Sequence, residues 1–245
     1  WERFSFYGMK ALLLLYLLQH HKFGDRSGLD VLGAYGGLVY CLPVVGGLLA
    51  DRFLGMRKAV VFGGLLLVAG HLGMAVEGHA AQITNGVVVR DEAWLGVFYL
   101  SLSLIILGVG FLKPNISTIV GRLYPDNDPR RDSGFSLFYA GINLGALVAS
   151  LVCGYLGQTL GWSWGFGAAG IGMLLGLGQF LWGQKYLHGH AEPPDPARLR
   201  ERVFGLPREW AIYLGTMLGL VPVAALMWAG ANGRFALGGE VSLGL

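Results

Sequence analysis

Apolar residues fall into blocks of about twenty along this chain, separated by shorter polar stretches. An α-helix needs about 20 apolar residues to cross the hydrocarbon of a bilayer. This rhythm predicts a first helix over residues 1–21, followed by a polar stretch over 20–30, and further helices over 31–52 and 59–76. A longer polar loop with strand character, 77–92, leads to helices over 94–121, 133–160 and 164–186. A hydrophilic segment rich in Pro and Arg, 188–207, precedes a seventh apolar span over 210–231 and a Gly-rich tail, 232–245. Pro114 lies inside the fourth helix, where it frees a backbone carbonyl and is expected to kink the helix.

Composition agrees with this reading. Hydrophobic residues make up 54% of the 245 and charged residues only 13%, far from soluble averages. The 41 glycines follow no collagen period; many fall in the apolar blocks, where small residues let helices touch. Pairs four apart (Gly33/Gly37, Gly46/Ala50, Gly141/Gly145, Ala146/Ser150/Gly154, Gly172/Gly176) predict close helix packing. Gly108-Val109-Gly110 follows no strand and so is no nucleotide-binding turn. The loops after helices 2, 4 and 6 hold eleven Lys and Arg residues, against three in the loops after helices 1, 3 and 5. By the positive-inside rule the N-terminus and the 188–207 segment are cytoplasmic. Cys41 and Cys153 lie in apolar blocks and read as small core residues. No cleavable signal peptide is visible, and the chain is expected to begin inside a helix, its natural start lying upstream.

Against this background the charges within the spans stand out, because each costs roughly 2.5–3.5 kcal/mol on insertion scales. Glu2, Arg3 and Lys10 run without a break into the first apolar block, and Arg3, Tyr7 and Lys10 share one helix face, bordered by Glu2 and Phe6. Lys113 precedes Arg122 by nine residues, about 13 Å at helical rise. That is deeper than a lysine stem reaches, and it points to substrate or proton work. Asn115 matches a glycosylation pattern with Ser117 but lies in a helix; interhelical glue is its other reading. Asn143, in the long apolar run of helix 5, is either an interhelical hydrogen bond or a cavity contact. Asp51 and Arg52, at the end of helix 2, and Arg57-Lys58 beyond them are either a helix stop with positive-inside anchors or a conformational latch in which Asp51 meets a sliding cation or helix N-terminus.

Gly47-Leu48-Leu49-Ala50-Asp51-Arg52-Phe53-Leu54-Gly55-Met56-Arg57-Lys58 resembles the signature loop of the major facilitator superfamily, with one extra residue between Arg52 and Gly55. Glu2-Arg3-Phe4-x-x-Tyr7-Gly8, Lys113-Pro114-Asn115 and the Phe135 to Gly145 run together resemble the proton-dependent oligopeptide transporter family of that superfamily. The resemblance covers the chain through helix 6. It implies an all-α membrane fold in which residues 1–187 form the N-terminal six-helix bundle, built from two inverted repeats of three helices. Residues 188–207 would be a cytoplasmic linker and 208–231 an extra inserted transmembrane helix. Residues 232–245 would be a loop, the chain ending before the C-terminal bundle.

The resemblance also implies roles. Glu2 would be a protonatable carboxylate held by Arg3 and Lys113; an earlier glutamate of the family motif would precede Trp1. Arg3, Tyr7, Lys10, Tyr40, Lys113 and Asn143 would contact the substrate. Phe6 and Lys10 stand where many members have tyrosine and arginine, removing a phenol and a bidentate grip. Asp51, Arg52 and Arg57 would form the latch. A short peptide is a zwitterion whose carboxylate needs cations, and a proton on Glu2 would release Arg3 and Lys113 to supply them.

The expected function is therefore proton-coupled symport of di- and tripeptides by alternating access in a cell inner membrane, with protons as coupling ion and no other cofactor. The expected partners are small peptides, the lipid bilayer and a C-terminal six-helix half, with no nucleic acid. A sibling carrying another small anion such as nitrate shares the helix 1 motif and is the alternative. A membrane-embedded enzyme or receptor is the remaining class; an intramembrane hydrolase would need a nucleophile or zinc motif, and none is present. Histidines 20, 21, 188 and 190 fall in loops, His188-Gly189-His190 reading as solvated linker or metal pair. His71 and His79 flank the outer end of helix 3, a position open to pH sensing.

Overall fold

The computed structural model describes residues 1–125 and 127–232; the Gly-rich tail read as a loop lies almost wholly outside these residues. Helix α1 spans Glu2–Gln19. Helix α2 spans Asp25–Leu49 and continues through one π-helical turn, Ala50–Leu54. Helix α3 is Met56–Ala75. The loop with strand character is a hairpin of β1 (Gln82–Thr84) and β2 (Val87–Val89), in register Ile83 to Val88. Helices α4 (Glu92–Arg122), α5 (Arg130–Thr159) and α6 (Trp162–Gly183) follow. Asp91 caps α4, its carboxylate accepting from the amides of Ala93 and Trp94.

Six helical segments among the described residues are long and apolar enough to cross a membrane: Asp25–Leu54, Met56–Ala75, Glu92–Arg122, Arg130–Thr159, Trp162–Leu187 and Arg208–Ala231. Helix α1, with Glu2, Arg3 and Lys10, is not among them, yet it packs chiefly on α5 and α6. Burial against neighbouring helices, rather than lipophilicity, accommodates Glu2 and Arg3, while Lys10 stays exposed. The packing has a two-fold pattern. α1 lies on α5 and α6 as α4 lies on α2 and α3, and α3 meets α6 across the centre. This is the arrangement two three-helix repeats produce.

Two ends of the bundle can be distinguished. The upper end carries the α1–α2, α3–α4 and α5–α6 junctions; the lower end carries the α2–α3 and α4–α5 junctions and the segment after α6. At the upper end the α3–α4 loop is sewn to the end of α1. Tyr16 Oη and His20 Nε2 both donate to the Glu77 carbonyl at 3.1 Å, and Arg90 donates to the carbonyls of His21 and Lys22. His20 and His21, expected in a loop, are buried there.

Close approach is set by fewer small residues than the spacing pattern predicts. A Cβ at Gly46 would collide with the Gly110 carbonyl of α4. That carbonyl has lost its helical donor, because residue 114 is proline. Gly172 and Gly176 of α6 likewise receive Phe4 and Trp1 of α1. Gly33, Gly37, Gly141 and Gly154 have nothing within 4 Å, so for these positions the packing expectation fails. The spacing rule marks smooth helix faces but cannot say which face has a neighbour.

The 188–207 segment is structured rather than plain solvated linker. It contains a short helix α7 (Pro196–Arg200) and a small hairpin of β3 (Arg202–Val203) and β4 (Leu206–Pro207), with Ala191 and Leu199 buried. The seventh span is two helices in line, α8 (Arg208–Leu218) and α9 (Leu220–Ala231). Pro222 cannot donate to Leu218, which interrupts the ladder. α9 packs on α2 and α4.

Candidate functional site

Glu2 and Arg3 are consecutive on the first turn of α1, and Arg3 Nε lies 3.2 Å from Glu2 Oε2, both side chains being largely buried. The second carboxylate oxygen, Glu2 Oε1, is buried without a hydrogen-bond partner. An ion pair away from water holds only if its remaining lone pairs are satisfied or a proton can come and go.

Lys113 projects from mid-α4. Its Nζ lies 4.4 Å from the centre of the Tyr40 ring on α2, a cation–π contact of about 0.5–2 kcal/mol. It is close enough to Glu2 to act on it through space, but the bonded partner of Glu2 is Arg3. In this conformation no ion pair joins Lys113 to Glu2 among the described residues, and the aromatic face holds the ammonium.

Tyr35, one helical stretch before Tyr40, completes the cluster. It is fully buried, stacks on Phe6 at 6.3 Å and 25°, and its hydroxyl has no partner. It lies within electrostatic reach of both Glu2 and Tyr40. Sequence reasoning passed over Tyr35; the available signal was a phenol in an otherwise apolar run.

The other expected residues face outward. Tyr7 is half-buried beside Phe6, while Lys10, Tyr40 and Asn143 are exposed. Gly145 of α5 abuts Arg3, and Asn143, two residues earlier and so on the other side of the helix, makes no hydrogen bond among the described residues. Of its two readings, the interhelical bond is absent. Asn115 is buried and donates to the Phe111 carbonyl of its own helix at 2.6 Å, so it is neither an interhelical bond nor an accessible glycosylation site. A cavity of about 630 Å³ reaches Glu2 and Arg3 from below, between Ile116 and Val120 of α4, Phe138 of α5 and Phe180 of α6. The charge pair therefore borders this largely apolar cavity. With two cations and one carboxylate the cluster has a net positive charge, suited to an anionic group.

The expected latch is built differently from its sequence reading. Asp51 and Arg52 are exposed on the π-helical turn and form no ion pair among the described residues. Arg57 forms the connection instead, donating to both carboxylate oxygens of Glu192 at 2.6 and 2.8 Å and to Gln184 at 3.3 Å. These bonds hold the Glu192 carboxyl below the usual range. The Arg57 amide donates to the Ala191 carbonyl, Lys58 pairs with Glu209 at 2.5 Å, and Arg198 and Arg208 lie over the Phe53 ring. Gly55, at φ +74°, turns the chain where Pro193 crosses it. The 188–207 segment is thus strapped across the α2–α3 junction.

Among the histidines, His79 meets Asp91 at 3.0 Å, and His71, about one turn before the end of α3, is fully buried. The described residues hold no cluster of three or more His, Cys, Asp or Glu side chains able to bind a metal.

A family model described as POT family matches residues 57–204. The chain is 42% identical over 229 residues to the uncharacterized transporter YclF of Bacillus subtilis (strain 168), covering 91% of this chain and 42% of that protein. It is 40% identical over 192 residues to the di-/tripeptide transporter of Lactococcus lactis subsp. lactis (strain IL1403), covering 75% of this chain and 35% of that one. It therefore spans less than half the length of these relatives. Among solved structures, a peptide transporter POT in complex with sulfate superposes with a TM-score of 0.71 at 39% identity, over 96% of this chain and 45% of the other. A buried Glu–Arg pair, a mid-helix lysine on a tyrosine face and a two-fold six-helix bundle meet here with matches at both sequence and structure level: this multi-pass membrane chain belongs to the POT family.

Proposed function

We propose that this chain is the N-terminal half of a proton-coupled symporter that imports di- and tripeptides by alternating access. It requires no cofactor other than the proton, and a second six-helix half supplies the facing cavity wall. The observation that carries the reading is the buried Glu2–Arg3 pair with one orphan carboxylate oxygen, next to Lys113. Protonation at Glu2 Oε1 removes the charge that holds Arg3. Arg3 and Lys113 then bind the peptide carboxylate, which would otherwise compete with Glu2 for the same cations. Proton and peptide thereby favour each other's binding, a coupling that is reciprocal by linkage. Tyr7, Lys10, Tyr40 and Asn143 line the open face the peptide occupies, the exposed tyrosine and asparagine offering hydrogen bonds without demanding a particular side chain. Asp51 and Arg52, unpaired among the described residues, are the latch groups that meet the other half, while Arg57 anchors the strap. The lower end, with its surplus of Lys and Arg, faces the cytoplasm of a cell whose inner membrane holds the protein. The name of the Lactococcus relative supports the substrate class.

The test uses the full-length transporter in proteoliposomes. Lys113→Ala is expected to abolish dipeptide uptake driven by a proton gradient, and near-normal uptake overturns its role. Glu2→Gln is expected to retain counterflow exchange but lose concentrative uptake; accumulation against a gradient removes Glu2 as the coupling site. Competition by excess unlabelled dipeptide and not by nitrate is expected, the reverse assigning the chain to an anion carrier.

A further inference from the structure

A second cavity, about 530 Å³, opens at the lower end of the bundle, away from Glu2 and Lys113. Three segments build it: the last turns of α4, the first turns of α5 and the turn after α6. Each contributes a basic side chain, Arg122, Arg131 and His190. The His190 amide donates to the Leu187 carbonyl, closing a turn in which His188 and Gly189 both adopt positive φ; this brings His190 to the cavity from the strap. Tyr124 lies across α5 where Gly134 has no side chain, fixing one wall. The Arg122 guanidinium makes no hydrogen bond or ion pair among the described residues. Asp128 is held by Arg130 through three side-chain contacts of 2.7–3.2 Å.

Positive-inside anchoring explains arginines at a helix end, but it does not explain their convergence with a histidine from a distant segment around a concave space. Guanidinium forks suit the oxygens of a phosphate group. The volume far exceeds that of one phosphate, and Phe135 gives the cavity an apolar wall. Basic pockets between transmembrane helices are suited to anionic lipid headgroups.

We infer that Arg122, Arg131 and His190 form a binding site for a phosphate-bearing anion, its source being an anionic phospholipid headgroup or soluble phosphate. Occupancy would tie the α4–α5 junction to the strap.

The experiment measures lipid retention by the full-length transporter in native mass spectrometry, with phosphatidylglycerol, with phosphatidylcholine and with inorganic phosphate. Arg122→Gln combined with His190→Gln is expected to lower phosphatidylglycerol retention about tenfold, as loss of charge-assisted bonds implies. Phosphatidylcholine retention and the Arg130→Gln control should be unchanged. Displacement of phosphatidylglycerol by inorganic phosphate supports the shared chemistry. Binding of phosphate alone, if Arg122 is required, supports the site and assigns it the soluble source. Retention of phosphatidylglycerol and phosphate that is identical in wild type and double variant overturns the inference. Should the double variant not be recovered, His190→Gln alone makes the same comparison, since its side chain is exposed.

Discussion

Residues Gly46 and His21 show how single positions carry constraints outside the candidate site. Gly46 faces a carbonyl that Pro114 leaves without its helical donor, and the missing side chain is what allows α2 to come that close. Gly46→Ala is expected to destabilise the folded protein by about 1–3 kcal/mol through overpacking, seen as a lower thermal unfolding midpoint. Gly37→Ala, with nothing within 4 Å, is expected to be neutral or slightly stabilising. Equal effects would contradict the packing account. His21 lies at the upper end outside the spans, and burial, then the neighbouring His20 and Arg90, push it down to about 3. The unfolded chain takes up this proton near pH 6.5 and the folded one only near 3, so stability contributed above pH 6.5 is lost as pH falls through that window. The loss is at most about 1.4 kcal/mol per pH unit. Unfolding midpoints of His21→Gln measured between pH 7 and 4 are expected to fall less steeply than those of the wild type; parallel curves would remove His21 from the account.

The elements are held by junctions of unequal strength. The strap over the α2–α3 turn combines an exposed Arg57–Glu192 pair with a backbone crossing at Gly55 and Pro193. Exposed ion pairs contribute about 0–1 kcal/mol, and the Glu192 side chain is 46% exposed. A side chain at Gly55 would meet both an unfavourable positive φ and the crossing chain. Gly55→Ala is therefore expected to release the strap, seen as faster proteolysis between residues 191 and 208, whereas Glu192→Gln changes the rate little. A larger effect from Glu192→Gln would make the ion pair, not the crossing, the fastening. Apart from α2, which begins at Asp25 within the stretch read as polar rather than at residue 31, the hydrophobic blocks gave the spans to within a few residues because twenty apolar residues have few other ways to satisfy their backbone. The strap was not legible as structure: its Pro, Arg and Glu residues read as solvent-facing, and only the partners on α3 and α8 give them a place.

At the scale of the molecule, α4 is the most buried span and α5 the least. Tyr40 of α2 and Tyr139 and Leu144 of α5 are exposed, as is Asn143. In the full-length transporter this exposed surface is expected to be water-accessible and occupied by substrate. Asn143→Cys, in a Cys41→Ser background, is expected to react with a membrane-impermeant thiol reagent, and dipeptide is expected to slow the reaction. Labelling that dipeptide leaves unchanged would place Asn143 outside the binding region.

By itself the sequence determined the class of the fold, the number and order of the spans and the costly residues within them. Backbone desolvation and charge burial act on each segment locally, wherever it packs. Glu2, Arg3 and Lys113 could be named for that reason alone. Only the tertiary structure decided their pairing: Arg3 on Glu2, Lys113 on Tyr40, and Tyr35 buried beside them. It also decided that Gly46 touches a neighbour while Gly37 does not, and that Arg57 rather than Asp51 fastens the junction. Those outcomes depend on which helix faces meet, and a periodic pattern marks a face without naming the face it meets.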